Sequence, residues 1–519
     1  MLQTDTRLVL VVDDDFISRR LLESALSKNQ YRVVCASGVS EAKDLLKKDG
    51  FEAFSAIVTD FRMPELTGLD LLNWLEINDP TIGSIMVTAE GEKRLVAESM
   101  RARAVDFLEK PVEMRRLMKA VDRAIAETND RRKSRVTQNA VKDLGAAQSA
   151  LLKAPVREEF RRILVCHFPM HEAGGDFYTA LPLDNGRIGV LLADVSGHDL
   201  RSAFVGAFFQ GMARGLTAKS SSIGDVFRHF SRILAEEWNQ PAEGKLISSV
   251  LMSVAACGLE FDPSDNSVRL CNCGAPRPAL VTPDGLATLI GQWNSPLGWE
   301  YPLTATDAGL PEAEGHIFFW TDGLDDLATT LKCSPAGLVT DIFKKQALGQ
   351  RPDYLQKAND DIMAVRVCLG SDPLAEPDFM PLHVDEISGN GANRIDSLQE
   401  AWADSIRRFQ PDLNESTAFD LLLATREVVL NGLVHGCADN AEKAVRLSIC
   451  WNQKGSFFRV SVEDPGPGHD FPVDSHEEAA SAELMTSHRG LIFIKHLATR
   501  LETRRRGAHV IMDFHSGGN

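Results

Sequence analysis

The segment up to Lys110 uses one device four times: an apolar run of strand length that stops on a polar side chain. "RLVLVVDDD" ends in Asp13, Asp14 and Asp15, and "AIVTDFRMPELTG" reaches Asp60. "SIMVTAE" carries Thr88, and "AVDFLEKPV" carries Lys110. Between the runs lie stretches of helical period, such as Leu21, Leu22, Ala25 and Leu26, then Ala42, Leu45 and Leu46. Strands alternating with helices imply a doubly wound parallel sheet, whose ligand site lies at the carboxyl ends of its strands. The polar residues all fall at those ends.

Their chemistry is coherent. Asp13 and Asp14 offer hard oxygen donors to a cation such as Mg²⁺. Asp60 beside that cation is placed as a nucleophile toward a phosphoryl group, giving an acyl phosphate. Thr88 can hydrogen-bond the new phosphoryl oxygens, and Lys110 can neutralise their charge. The set resembles the receiver domain of bacterial response regulators over residues 1–125. The resemblance implies that Asp60 is the phosphoacceptor and, with Asp13 and Asp14, holds the metal. It also implies an upstream histidine kinase or phosphotransfer protein. Phe107 stands at the family's aromatic switch position, so no tyrosine hydroxyl acts there.

At 519 residues the chain is too long for one core, and roughly 150 residues per domain predicts three or four. With 44% hydrophobic and 25% charged residues it reads as globular. Its apolar runs are too short to cross a bilayer, and no secretory leader pattern opens the chain, so no membrane partner and a cytoplasmic location are expected. A net charge of -17 argues against a nucleic-acid surface. The basic clusters "RRKSR" (131–135) and "RRR" (504–506) read as solvated faces. Nine scattered Cys predict reduced thiols and no zinc site.

From Met114 to about Leu152 there is no Pro, and the one Gly is Gly145. Val136, Ala140, Leu144, Ala147 and Leu151 follow a near-heptad seam. A helical, coiled-coil-like linker over residues 126–154 follows, either joining two copies as a homodimer or packing on the next domain. "DLGAAQSALL" is similar to the helical lead-in of SpoIIE and RsbU type phosphatases.

In residues 155–372, "HEAGGDFY", "LLADVSGHD", "FFWTDGLDD" and "NDDIMAVRV" each set Asp at or beside the edge of a strand-like run. Carboxylates delivered from separate strands to one place suit a two-metal site for hydrolysis of a phosphate ester, with Mg²⁺ or Mn²⁺ as the ions. This order, with "SPLG" at 295–298, resembles the PP2C-like Ser/Thr phosphatases of the SpoIIE and RsbU branch. By that likeness Asp194 bridges both ions with the Val195 carbonyl on one, and Asp322 and Asp360 hold the other. Asp176 would act through water, and Asp360 is preferred to Asp361. Two departures are Asp199 after "SGH", and "CNCGAPRP", which has Cys273 and Ala275 where the family has Ala and His.

In residues 380–519, "EVVLNGLVHG" repeats a polar residue every fourth position: Glu427, Asn431 and His435. On an α-helix each such step turns about 40°, so the three share a face. "VSVEDPGPGHD" supplies Asp464, Gly466 and Gly468, and "SHRGLIFIKHLA" supplies Gly490. Together these resemble the GHKL-type ATPase fold, and most closely the SpoIIAB and RsbW type anti-sigma serine kinases. The resemblance implies that Asn431 binds the Mg²⁺ of ATP and Glu427 acts as base on a serine hydroxyl. Asp464 would accept the adenine amino group, and glycines 466, 468 and 490 would shape a lid. His435 is left as a helix histidine, and His488 departs from the family's glycine.

The expected chain is therefore multidomain α/β and α+β: receiver, helical linker, PP2C-like β-sandwich flanked by helices, and α/β sandwich ATPase. The whole resembles the HsbR type of response regulator. That likeness implies a phosphatase and a kinase opposing each other on a STAS-type anti-sigma factor antagonist, with a sigma factor as a further partner. The alternative makes the last domain a noncatalytic module that binds ATP or a sigma factor.

Overall fold

The computed structural model describes residues 8–89, 104–151, 160–170, 174–183, 186–197, 200–216, 222–238, 253–299, 303, 308–310, 313–370, 376–468 and 494–516. Asp199, His488 and Gly490 lie outside them. The chain divides into two units, residues 1–143 and 144–519.

In the first unit, β1 (Leu8–Val12), β2 (Arg32–Ala36), β3 (Ala56–Asp60), β4 (Ser84–Thr88) and β5 (Asp106–Glu109) form a parallel sheet ordered β2-β1-β3-β4-β5 among the described residues. The strands β1, β3 and β4 are buried along their whole length. Continuous apolar runs such as LVLVV form there because helices cover both faces. These are α1 (Phe16–Lys28), α2 (Val39–Asp49), α3 (Gly68–Asn78) and the start of α4 (Met114–Leu151). Local signals set their starts: Asp15 caps α1 by accepting from the Ser18 amide at 2.8 Å, and Thr67 with Asp70 forms a capping box on α3.

The α4 helix runs unbroken through residue 126, where the linker is expected to begin. Leu117, Ala120, Val121 and Ala124 are buried in the core of the first unit. In the "RRKSR" cluster Lys133, Ser134 and Arg135 are exposed, as a solvated face requires, and the correction concerns the arginines that reach back to the domain. Arg132 donates to the carbonyls of Phe51 (2.9 Å) and Phe54 (2.8 Å), and Arg135 pairs with Asp79 at 3.0 Å. Periodicity could not show this, because the acceptors, two carbonyls at 51 and 54 and the Asp79 carboxylate, are remote in sequence. Beyond them Val136 is 70% exposed.

The second unit opens with two antiparallel sheets. One is ordered β13-β10-β9-β8-β7, from β7 (Phe177–Pro182), β8 (Ile188–Val195), β9 (Val254–Phe261), β10 (Val268–Cys273) and β13 (Ala308–Leu310). The other is ordered β12-β11-β14-β15-β6, from β6 (Ile163–Phe168), β11 (Ala279–Val281), β12 (Ala287–Leu289), β14 (His316–Trp320) and β15 (Ile362–Cys368). The strand pleat sends alternate residues to opposite faces. Thus Ile317 and Phe319 enter the core between the sheets with Val190 and Leu259. Phe318 and Trp320 face α7 (Asp322–Leu331) and α8 (Pro335–Ala347) on the outside. The first sheet carries α5 (Leu200–Leu216) and α6 (Ile223–Trp238), whose Phe209 and Phe230 rings lie 4.8 Å apart.

The last sheet is antiparallel, ordered β16-β17-β18-β20-β19, from β16 (Phe379–Ser388), β17 (Ala444–Asn452), β18 (Phe457–Glu463), β19 (Arg500–Arg504) and β20 (His509–His515). One face packs on α9 (Ile395–Phe409) and α10 (Glu415–Asn431) through Trp402, Leu421 and Val460. The other face gives Phe379, Val384 and Cys450 to the core that also holds Phe318, Leu338 and Phe343. These two domains therefore share one hydrophobic core. The "RRR" cluster is an exposed face, as expected, on which Arg504 pairs with Asp284 at 3.4 Å and Arg505 pairs with Glu463.

All nine cysteines are free. Among the described residues no helix is long and apolar enough to cross a membrane.

Candidate active sites

At the carboxyl edge of the parallel sheet, one oxygen from each of Asp13, Asp14 and Asp60 lies within 4.8 Å of the others. Asp13 and Asp60 are buried and Asp14 is exposed. Lys110 reaches both buried carboxylates, Asp60 at 2.8 Å and Asp13 at 3.0 Å. Burial raises the pKa of Asp60, and the Lys110 bond opposes that rise. Burial acts to lower Lys110, but its bonds to Asp60 and Asp13 outweigh it, so its pKa is raised and its charge is secured. Thr88 is buried at the end of β4, and its carbonyl accepts from the Lys110 amide at 2.7 Å. Phe107 lies half-buried in β5. The arrangement suits attack by Asp60 on a phosphoryl group, with Lys110 beside the incoming charge.

In the β-sandwich, Asp176, Asp194, Asp322, Asp360 and Asp361 line one cavity of about 360 Å³. Asp194 comes from the end of β8, Asp322 from the start of α7 and Asp176 from the turn before β7. The paired glycines before Asp176 are a steric requirement. A Cβ on Gly174 would lie 1.8 Å from Asp361 Oδ2, and one on Gly175 would lie 2.2 Å from the Val195 carbonyl oxygen. Val195 itself is buried, with that carbonyl closed against Gly175.

Burial, then the charge of Asp194, holds Asp176 well above the ordinary carboxylate range. Asp194 is raised by burial and then by Asp322, and Asp322 by burial and then by Asp360. Among the described residues no lysine or arginine lines this cavity. Hard oxygen donors with no internal counter-charge fit divalent cations, which relieve the repulsion that raises these pKa values.

The adjacent pair resolves in part. Asp361 is buried and accepts from the Met170 amide at 2.6 Å, while Asp360 is exposed and accepts from the Asp361 amide at 2.8 Å. Both reach the cavity. Sequence reasoning assigned no role to Thr321, whose hydroxyl donates to Asp176 Oδ2 at 2.9 Å. Its only signal was a hydroxyl directly before Asp-Gly at the end of an aromatic strand.

In the last domain Glu427 and Asn431 lie half-buried on α10, which is started by Asn414 accepting from the Thr417 amide at 2.7 Å. The expected α-helical face continues only to Asn431. Residues Gly432–Gly436 form a π turn closed by the Cys437 amide on the Gly432 carbonyl at 2.8 Å, with His435 exposed. The wider turn lets the backbone of Gly436 meet Asp464, where a Cβ would stand 2.1 Å from Oδ1. Asp464 follows β18, and its Oδ1 accepts from the Gly466 amide at 2.7 Å. Gly468 has φ +73°, and a Cβ there would lie 2.5 Å from the Arg505 carbonyl. The end of the Asn431 helix and the Asp464 loop thus form one contiguous site.

Residues 9–122 match the response regulator receiver domain family. Residues 184–364 match the Stage II sporulation protein E (SpoIIE) family, and residues 392–514 the histidine kinase-like ATPase domain family. The chain is 36% identical over 120 residues to the response regulator protein PilR of Pseudomonas aeruginosa, a match covering 23% of this chain and 26% of that one. It is 34% identical over 122 residues to the transcriptional regulatory protein FixJ of Rhizobium meliloti, covering 22% and 55%. The matched part is thus under two thirds of either relative. A crystal structure of the RsbU and RsbW domains of a Mycobacterium tuberculosis protein aligns at 19% identity and a TM-score of 0.30, covering 68% of this chain and 92% of that one.

Proposed function

We propose that this chain, which carries a receiver domain, a SpoIIE-type domain and a histidine kinase-like ATPase domain in that order, is a two-component response regulator acting by partner switching. Phosphorylation of Asp60 sets the balance between a PP2C-like protein serine phosphatase and an opposing ATP-dependent serine kinase. Both act on a STAS-type anti-sigma factor antagonist. The observation that carries this reading is the union, through one core, of a cavity lined by five aspartates with the Asn431 and Asp464 site. Without a gate, removal and addition of phosphate by one chain would only consume ATP.

In the receiver, the Asp60 oxygen takes the phosphoryl group from an upstream histidine kinase or phosphotransfer protein. Asp13 and Asp14 would hold Mg²⁺ there, and Lys110 and Thr88 would bind the phosphoryl oxygens. In the phosphatase, Asp194, the Val195 carbonyl, Asp322 and Asp360 would hold Mg²⁺ or Mn²⁺, with Asp176 behind them. When bound, the ions supply Lewis-acid activation of water toward a phosphoserine ester, releasing serine and inorganic phosphate. In the kinase, Asp464 accepts the adenine amino group and Asn431 would hold the Mg²⁺ that ATP carries. Glu427 takes the proton from the serine hydroxyl as its oxygen bonds to the γ-phosphorus and ADP leaves. Glycines 466, 468 and 490 shape the nucleotide lid. The protein would act in the cytoplasm, as a homodimer through the exposed part of α4.

The test follows phosphoserine on a STAS-domain antagonist incubated with the full chain, labelled ATP and Mg²⁺ or Mn²⁺, with and without a small phosphodonor. Transfer that is lost in Asn431→Ala, hydrolysis that is lost in Asp194→Asn, and a shift between them that is lost in Asp60→Asn are expected. Nucleotide binding without any transfer, alongside tight sigma-factor binding, would instead leave the last domain as a noncatalytic module.

A further inference from the structure

Thr321 occupies the N-cap position of α7, with φ -86° and ψ 160°, where a threonine ordinarily turns its oxygen onto an amide of the first turn. Here the side chain makes no cap bond. Its hydroxyl donates instead to Asp176 Oδ2 at 2.9 Å and accepts from the Met363 amide at 3.0 Å. A hydroxyl has one proton. The Met363 amide occupies a lone pair, and the rival acceptor, the Met363 carbonyl, lies farther off at 3.4 Å. The proton is therefore committed to the carboxylate. Thr321 is buried, and its own amide is tied to the Met363 carbonyl at 2.9 Å, so the hydroxyl is held from both strands β14 and β15.

We propose that Thr321 is the positioning residue of the aspartate cavity. It forgoes a helix cap to fix Asp176 in one rotamer with Oδ2 engaged, so that the Asp176 carboxyl meets Asp194 in the cavity. The residue acts through Asp176 and links its orientation to Asp322, its chain neighbour, which lines the same cavity. A hydrogen-bonded carboxylate held in this way is the outer support that cation sites depend on, and loss of such support costs about 10- to 100-fold in metal affinity. The proposal rests on the reading of the cavity as a divalent-cation phosphatase site.

The test measures Mn²⁺ binding by calorimetry and hydrolysis of p-nitrophenyl phosphate. It uses the full chain carrying Asp13→Asn and Asp14→Asn, so that the receiver's cation site does not contribute. Thr321→Val should weaken Mn²⁺ binding about 10- to 100-fold, and Thr321→Ser should restore it. In an Asp176→Asn background Thr321→Val should add nothing further, which a merely structural role would not produce. Nucleotide binding should stay unchanged. If Thr321→Val prevents folding, Thr321→Ser decides: affinity within twofold of the parent supports the proposal, and a tenfold loss overturns it. Parent-like affinity in Thr321→Val, with binding lost in Asp194→Asn, also overturns it. If neither the parent nor Asp194→Asn binds Mn²⁺, the phosphatase reading itself fails, a separate outcome.

Discussion

Arg277, in the loop after β10, forms an ion pair with Glu386 on β16, and Glu386 also receives Arg446 at 3.0 Å. The loop bearing Arg277 belongs to the SpoIIE-type domain, and Gly274 within it lines the aspartate cavity. Arg446 continues to Glu463 at 3.5 Å, next to Asp464. Burial acts to raise Glu386, but Arg277 and Arg446 together hold its pKa below the usual range.

These charges are partly exposed, so the apolar contact beneath them dominates the interface energy. Phe379 is 5% exposed, packs edge-on against Phe457 with ring centres 5.7 Å apart, and lies in the core shared with the SpoIIE-type domain. Phe379→Ala should cost about 3 kcal/mol, against about 1 kcal/mol for Glu386→Gln. Denaturant unfolding with one probe in each domain checks this. Both probes should shift together in Phe379→Ala, and a shift confined to the ATPase probe would contradict a shared core.

The glycine pair before Asp176 makes a graded prediction. In Gly174→Ala the new methyl meets the end of the Asp361 side chain, which can swing away. In Gly175→Ala it meets the Val195 backbone carbonyl, which cannot. Gly175→Ala should therefore be the more damaging, lowering phosphatase turnover about 100-fold through misplacement of the site. Turnover of p-nitrophenyl phosphate by the two variants gives the ranking.

Arg132 ties α4 to the receiver through the carbonyls of Phe51 and Phe54. Arg132→Ala should cost about 1–2 kcal/mol, because it takes a charged donor from the part-buried Phe54 carbonyl, while the Phe51 carbonyl keeps the Phe54 amide at 3.1 Å. Amide exchange should quicken around residues 126–135 while Asp60 still takes label from a phosphodonor. Unchanged exchange there would show that the arginine does not hold the helix.

His316 supplies a pH dependence. Burial first, then the nearby Arg366 charge, lowers its pKa from 6.5 to about 4. In that interval the unfolded chain binds a proton that the folded one does not, so stability rises with pH. The contribution is complete above pH 6.5 and is lost as pH falls toward 4, about 3 kcal/mol in all. Thermal melts of the parent and His316→Gln between pH 4 and 7 should converge at the acid end. Parallel curves would rule out this histidine as the cause.

Much of the receiver site was legible because a parallel sheet delivers every strand end to one edge. An apolar run that stops on Asp13, Asp60, Thr88 or Lys110 therefore states its own destination. In the antiparallel sandwich the start of one strand lies beside the end of its neighbour, so Asp176 before β7 meets Asp194 at the end of β8, and Asp360 before β15 meets Asp322 after β14. Local pattern failed where the partner was remote. "RRKSR" looks like any solvated charge run until the loop carbonyls at 51 and 54 are placed beneath it. Glu427, Asn431 and His435 fit one α-helical face by spacing alone, and the spacing does not show the π turn at Gly432–Gly436, where Gly436 meets Asp464.

The sequence by itself determined the domain order, the strand ends that carry chemistry and the residue types gathered there, since periodicity and chain order are local properties. Tertiary structure decided where single protons and exposed faces go. It sent the Thr321 hydroxyl to Asp176 instead of its own helix, because only the packed sandwich brings Asp176 from before β7 and Met363 from β15 to it. It also laid the second face of the β16–β20 sheet on α8, because an amphipathic strand shows that a face must be buried but not against what.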